Sequence, residues 1–162
     1  MFSFAQLQEE SRAWVAHNFQ GRDPSDPILG LVEECGELDD AQIEADIADA
    51  LADVVIFSAD VCNGYGLDLE SIVEEARAER KRRSLLSVLG SLAHHALKDK
   101  QKIRGSHEEH VAAIREHLVD LLKCVHSYAR HQEIDLLPLV ERTWREIVRK
   151  RNWRPDAPTP QS

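Results

Sequence analysis

The 162-residue sequence contains no run of about 18 apolar residues, the length a helix needs to cross a hydrocarbon layer. Nor does it open with a charged segment followed by an apolar one. On those absences the expectation is a cytoplasmic chain with no membrane partner. Cysteine is scarce too. Cys35, Cys62 and Cys124 are odd in number, far apart in apolar helical sequence and in no metal-ligand spacing. Buried, reduced thiols acting as small hydrophobes are expected rather than a disulfide framework or a nucleophile. Positive charge is in deficit, with 20 Lys and Arg against 29 Asp and Glu and a formal net charge of −9. A nucleic-acid polymer would want a basic stripe instead, so none is expected as a partner, whereas a single metal-bridged nucleotide is compatible with an acidic protein. With 43% hydrophobic and 30% charged residues, the chain suits one globular unit or two small ones.

What the sequence does have is carboxylates where a core is expected. Between Leu31 and Phe57, Glu33, Glu34 and Glu37 fall on one helical face, and Asp46, Asp49 and Asp53 fall on one face of the following helix. The second set runs into Val54-Val55-Ile56-Phe57, apolar all round, so Asp53 is expected to lie away from bulk water. Acidic residues at helical spacing are often only a solvated face. Two such patches on neighbouring antiparallel helices would instead repel unless protonated, paired with cations or bound to a hard metal ion, for which Mg²⁺ is the usual answer.

These residues also carry a resemblance. Glu33-Glu34-x-x-Glu37 followed by an acidic pair ending in Asp53 resembles the signature of the MazG-like, all-α nucleoside triphosphate pyrophosphohydrolases, a superfamily that includes the dimeric dUTPases. Trp14-x-x-x-Asn18-Phe19, Leu29-Gly30-Leu31-Val32 and Gly66-Leu67-Asp68-Leu69 are similar to its short members. The resemblance implies Glu34, Glu37, Asp49 and Asp53 as ligands of Mg²⁺, or of Mn²⁺ in its place, and Glu33 as the group that orients or deprotonates the attacking water. It implies a nucleotide-pool housecleaning reaction that splits a nucleoside triphosphate into monophosphate and pyrophosphate. One position departs from the pattern: Ala50 stands three residues before Asp53, where the family has Glu. The role passes to Asp49, one turn before Asp53.

Along the chain, Ser3 to His17 reads as an amphipathic helix with Phe4, Leu7, Trp14 and Val15 inward. Asp26 and Pro27 open the next helix, a long one follows from about Ala41 to Cys62, and Asp68 caps another to about Arg83. A second copy then follows. A shift of 67 residues aligns Ala45, Ile47, Leu51, Asp53, Asp68, Leu69, Val73, Glu74, Glu79 and Arg82 with Ala112, Ile114, Leu118, Asp120, Asp135, Leu136, Val140, Glu141, Glu146 and Arg149. Leu29-Gly30 aligns with Leu89-Gly90, setting Ala93, His94 and Leu97 opposite Glu33, Glu34 and Glu37, so only the first copy keeps a full acidic set.

The expected architecture is all-α, a helical bundle of two tandem MazG-like units, 1–83 and 84–154, forming an intrachain pseudo-dimer, with a disordered tail at 155–162 and a homodimer of chains. Lys98, Lys102 and Arg104 fill a basic loop that resembles the segment following the acidic helix in single-copy members; the resemblance makes them phosphate contacts, and a solvated surface loop is the plain alternative. Arg151, in a basic run that also closes family members, either reaches the phosphates or complements the negative end of its helix. Trp14 offers a stacking face to a base or simply packs in the core, and Asn18 offers a donor and an acceptor to a base edge. His94 and His95 point in different directions and are assigned to surface or interface packing. Two other functions stay open: a catalytically inactive nucleotide-binding or regulatory protein, and a purely structural helix-pairing protein.

Overall fold

A computed structural model describes residues 1–78 and 83–151. Among these residues the chain is built of helices alone: α1 (Phe4–Asn18), α2 (Asp26–Asp40), α3 (Glu44–Tyr65), α4 (Leu69–Ala78), α5 (Leu85–Gln101), α6 (His107–His131) and α7 (Leu136–Lys150). The all-α expectation is met. The expected disorder of 155–162, the Trp153-Arg154 end of the basic run, and Glu79 and Arg82 of the repeat lie outside the described residues.

Local signals explain most boundaries. Ser3 accepts from the Gln6 amide at the start of α1, and Ser106 and Glu109 form a reciprocal capping box that opens α6. Gly66 ends α3 at φ +66°, a left-handed conformation that costs glycine nothing. Two boundaries differ from expectation. Ser25, not Asp26, precedes the first turn of α2, and the Asp26 carboxylate turns back to accept from the Asp23 amide at 3.1 Å. The long helix begins at Glu44 and runs through Asn63 and Gly64 to Tyr65, because Ala41 and Ile43 are extended and packing carries the helix past the polar pair.

Packing sets two helical pairs beside each other. α2 and α3 form one antiparallel hairpin: Gly64 lies near Pro24, Gly30 against Phe57, and Asp46 near Asp40. α5 and α6 form the other. The short helices are exchanged, since α4 packs on α6 and α7 packs on α3, while α1 covers α3 and touches α4 and α7. A single apolar core results, with Leu7, Leu31, Leu51, Leu92, Leu118 and Leu122 fully enclosed. Each enclosed leucine contributes about 1.5–3 kcal/mol of transfer free energy. The three cysteines are buried and form no disulfide, as expected.

Candidate functional site

The acidic face of α2 is presented by the opposite face. Leu31, Cys35 and Leu38 are buried at helical spacing, which turns Glu33 and Glu37 outward and leaves Glu34 half-buried toward α3. On α3, Leu51, Ala52, Val54 and Val55 are enclosed, and Asp53 stands half-buried between them and α2. Glu33, Glu37, Asp49 and Asp53 all act electrostatically on Glu34. Burial first, and then Asp53, Glu37, Glu33 and Asp49, together push the Glu34 carboxyl up to about 7. Asp53 rises to about 6 through burial, then Asp49 and Glu37, with Lys150 of α7 pulling against them. Asp46 sits one turn away, in an open groove with Glu33, Gly36, Glu37 and Asp40. Asp49 acts on both Glu34 and Asp53.

Among the described residues no three His, Cys, Asp or Glu side chains are grouped tightly enough to hold a metal ion as they lie. The donor chemistry still fits a hard divalent cation. Oxygen ligands only, in a half-buried cluster whose members raise one another's proton affinity, are what such a cation relieves.

Asp53 also lines a cavity of about 270 Å³ whose walls are Trp14, Phe19, Ile56, Phe57 and Trp144. Trp14 meets Phe19 and Trp144 edge to face, at ring-centroid distances of 5.4 and 5.9 Å. Its indole Nε1 is buried without a hydrogen-bond partner, an orphan donor on the wall of a cavity. At the other side Arg22 pairs with Asp60, and the Arg22 guanidinium lies 5.6 Å over the Phe19 ring. Burial raises the Asp60 carboxyl above its ordinary value, although Arg22 opposes that.

Other expected residues fall elsewhere. Asn18 is exposed and donates to the Trp14 carbonyl at 2.8 Å, closing its own helix, and it does not line the cavity. Lys98 is not in a loop but in the last turn of α5, where it donates to Gln101 at 3.0 Å. Lys102 ends α5 in a left-handed conformation and lines a different hollow with Asp23 and Tyr65; Arg104 is exposed beside it. Tyr65 is twelve residues along α3 from Asp53, a rise of about 18 Å, so this basic segment and the carboxylates sit at opposite ends of the hairpin. Arg151 is exposed and caps α7 directly after Lys150.

Sequence reasoning missed Lys150, Trp144, Arg22 and Asp60 as neighbours of the cluster. Helical spacing gives the inner face of α7 but not the helix it lands on, so nothing local to Lys150 could have revealed its proximity to Asp53. In the second pair Glu116 and Asp120, which the 67-residue shift sets opposite Asp49 and Asp53, are differently engaged: Glu116 is exposed, and Asp120 pairs with Lys123 at 3.3 Å and Arg83 at 3.7 Å. Comparisons of the chain with family models, with curated proteins and with solved structures found no match in any of the three.

Proposed function

We propose that the chain is a Mg²⁺-dependent nucleoside triphosphate pyrophosphohydrolase, a tandem MazG-like form that cleaves between the α and β phosphates. The observation that carries this reading is the double membership of Asp53, which belongs to the carboxylate cluster and to the wall of the aromatic cavity. A ligand with a flat apolar end and a polyanionic end suits such a junction, the ring stacking on Trp14 or Phe19 while the phosphates lie toward the carboxylates. At about 270 Å³ the cavity is near the small end of ligand sites and suits a base rather than a whole nucleotide.

In this reading Glu34, Glu37, Asp49 and Asp53 hold the cation. Bound there, Mg²⁺ would supply Lewis acidity to the α-phosphoryl oxygen and acidify a water, and Mn²⁺ would substitute. Glu33, on the solvent side of the patch, accepts the proton of the attacking water. Lys150, whose charge already acts on Asp53, and Arg151 beside it take over the role that sequence assigned to Lys98, Lys102 and Arg104, stabilising charge on the departing pyrophosphate. The two units, 1–83 and 84–154, form a pseudo-dimer in which α2, α3 and α4 correspond to α5, α6 and α7. Its support is the exchange of short helices and the shared starts of α4 and α7, at Leu69 and Leu136, after Asp68 and Asp135. A homodimer of chains is part of the same reading, and would cover the exposed Leu29, Val32 and Leu86.

A catalytically inactive nucleotide binder is the second reading, favoured by one observation. Ala50 is 3% exposed in the core, so the carboxylate that the family pattern sets there has no counterpart in the cluster. Pyrophosphate release from a panel of nucleoside triphosphates with Mg²⁺, set against Glu37→Ala and Asp53→Ala, decides between them. Turnover that both variants abolish, with helical content unchanged, supports the enzyme. Saturable nucleotide binding with no release supports the binder, and neither binding nor release removes both.

A further inference from the structure

The second helical pair has imidazoles where the first has carboxylates. His95 on α5 faces His110 on α6 with their Nδ1 atoms 3.2 Å apart, and His117, two turns further along α6, has its ring 5.5 Å from that of His95. The other partners of these rings fix their tautomers. The Ile103 carbonyl only accepts, so His110 Nε2, at 3.0 Å, carries a proton and donates, which leaves Nδ1 of the neutral ring as a lone pair. Arg83 only donates, so His117 Nδ1, at 3.1 Å, is the acceptor and is already engaged. His110 is 3% exposed and thus presents a fixed, buried lone pair to His95, while His95 keeps a path to solvent.

That arrangement has the dimensions of a metal site. Two ligands of one tetrahedral cation stand about 3.3 Å apart when metal–nitrogen bonds are about 2.0–2.1 Å. Donation of the remote ring N–H to a backbone carbonyl, as His110 makes to Ile103, is how metal-bound histidines are held in orientation. We propose that His95 Nδ1 and His110 Nδ1 form a two-histidine site for a borderline-soft divalent cation of the Zn²⁺, Ni²⁺ or Cu²⁺ class, distinct from the carboxylate cluster. Without the cation the same gap holds an N–H···N bond in which His95 donates. The cation takes the place of that proton, His95 takes up a proton at Nε2 as it loses the one at Nδ1, and the Nδ1 atoms of two neutral rings then donate lone pairs. Among the described residues no third His, Cys, Asp or Glu is grouped with the pair, so water fills the remaining positions. Burial, and then His94 and His110, hold the His95 pKa below its ordinary value, so the ring is neutral and free to ligate at neutral pH. Mg²⁺, which wants oxygen donors, does not compete.

The test is a calorimetric titration of Zn²⁺ or Ni²⁺ into untagged full-length chain, with Mg²⁺ in excess, in two buffers of different ionisation enthalpy. One cation per chain is expected, with little difference between the two buffers because both rings bind as neutral imidazoles, unaffected by Glu34→Gln and weakened roughly 10-fold or more by His95→Ala, as the loss of one ligand requires. His95→Ala is preferred to a change at the buried His110, because it leaves the core intact, and His94→Ala serves as the exposed control. Binding that survives His95→Ala, binding lost in Glu34→Gln, binding lost equally in His94→Ala, or no binding at all would each overturn the site.

Discussion

Glu34 holds a proton more tightly than any ordinary glutamate, and the consequence for stability has a definite sign. Its carboxyl in the folded chain is raised from 4.5 to about 7, so the folded state binds the proton better than the unfolded state does. The favourable contribution is therefore complete below about pH 4 and is lost as pH rises toward 7; Asp53, raised from 3.8 to about 6, adds to the loss over a slightly lower range. In chelator, Glu34→Gln should raise the melting temperature at pH 8 by about 2–4 °C, the shift that ~1 kcal/mol makes in a chain of this size. Partial solvation of the cluster keeps the effect to that order. At pH 4 the variant and the parent should melt together, and adding Mg²⁺ at pH 8 should stabilise the parent more than the variant. A variant less stable than the parent at pH 8 in chelator would show that the repulsion is not there. These residues were legible because helical spacing alone puts Glu33, Glu34 and Glu37 on one face. Spacing could not show that Ala50 points into the core, where an added carboxylate would lose its hydration.

The contact between α2 and α3 turns on a glycine. A Cβ on Gly30 would lie 2.3 Å from Cε1 of Phe57, so the ring must move, and the open space available to it is the aromatic cavity that Phe57 already lines. Ala is favoured over Gly in a helix by about 1 kcal/mol, which offsets much of the cost of displacing the ring. Gly30→Ala should thus fold with a stability within about 1 kcal/mol of the parent, by balance of those terms. Its affinity for nucleotide should fall, with KM rising more than kcat drops, because the carboxylates are untouched and the cavity is filled. Unchanged KM in a folded variant would separate the cavity from the substrate. Helix limits were legible where the cap is chemical, at Asp68, whose carboxylate accepts from the Ser71 amide at 3.3 Å ahead of α4. They were not legible at Lys98 to Gln101, where a run of charged residues reads as loop but continues α5 with Ala96 buried one turn earlier.

The two halves of the molecule are joined by what each gives the other. α7 lies on α3 and is tied to α1, since Trp144, 1% exposed, donates from its indole to Glu10 at 2.7 Å, and Arg145 reaches the same carboxylate at 2.6 Å. α4 lies on α6, where Glu75 accepts from Arg115 at 2.7 Å. The sequence shows the same apolar spacing recurring at a shift of 67 residues. The exchange of α4 and α7 was not legible, because each presents the same kind of apolar face to whichever long helix receives it. The exchange carries a prediction about folding. Segment 1–83 made alone would lack the Trp144 side chain over α3, and segment 84–162 alone would lack Ile72, Val73 and Ala76 over α6, all of them buried in the whole chain. Loss of one buried Trp side chain costs about 3–5 kcal/mol, a large part of the ~5–15 kcal/mol that holds a domain of this kind. Each half should therefore show reduced helicity and a broad melt without a cooperative transition. Mixed, the two should associate one to one and regain the circular dichroism and the sharp melt of the intact chain. A half that melts cooperatively by itself would mean that its short helix folds back onto its own hairpin, and that the exchange is not needed for stability.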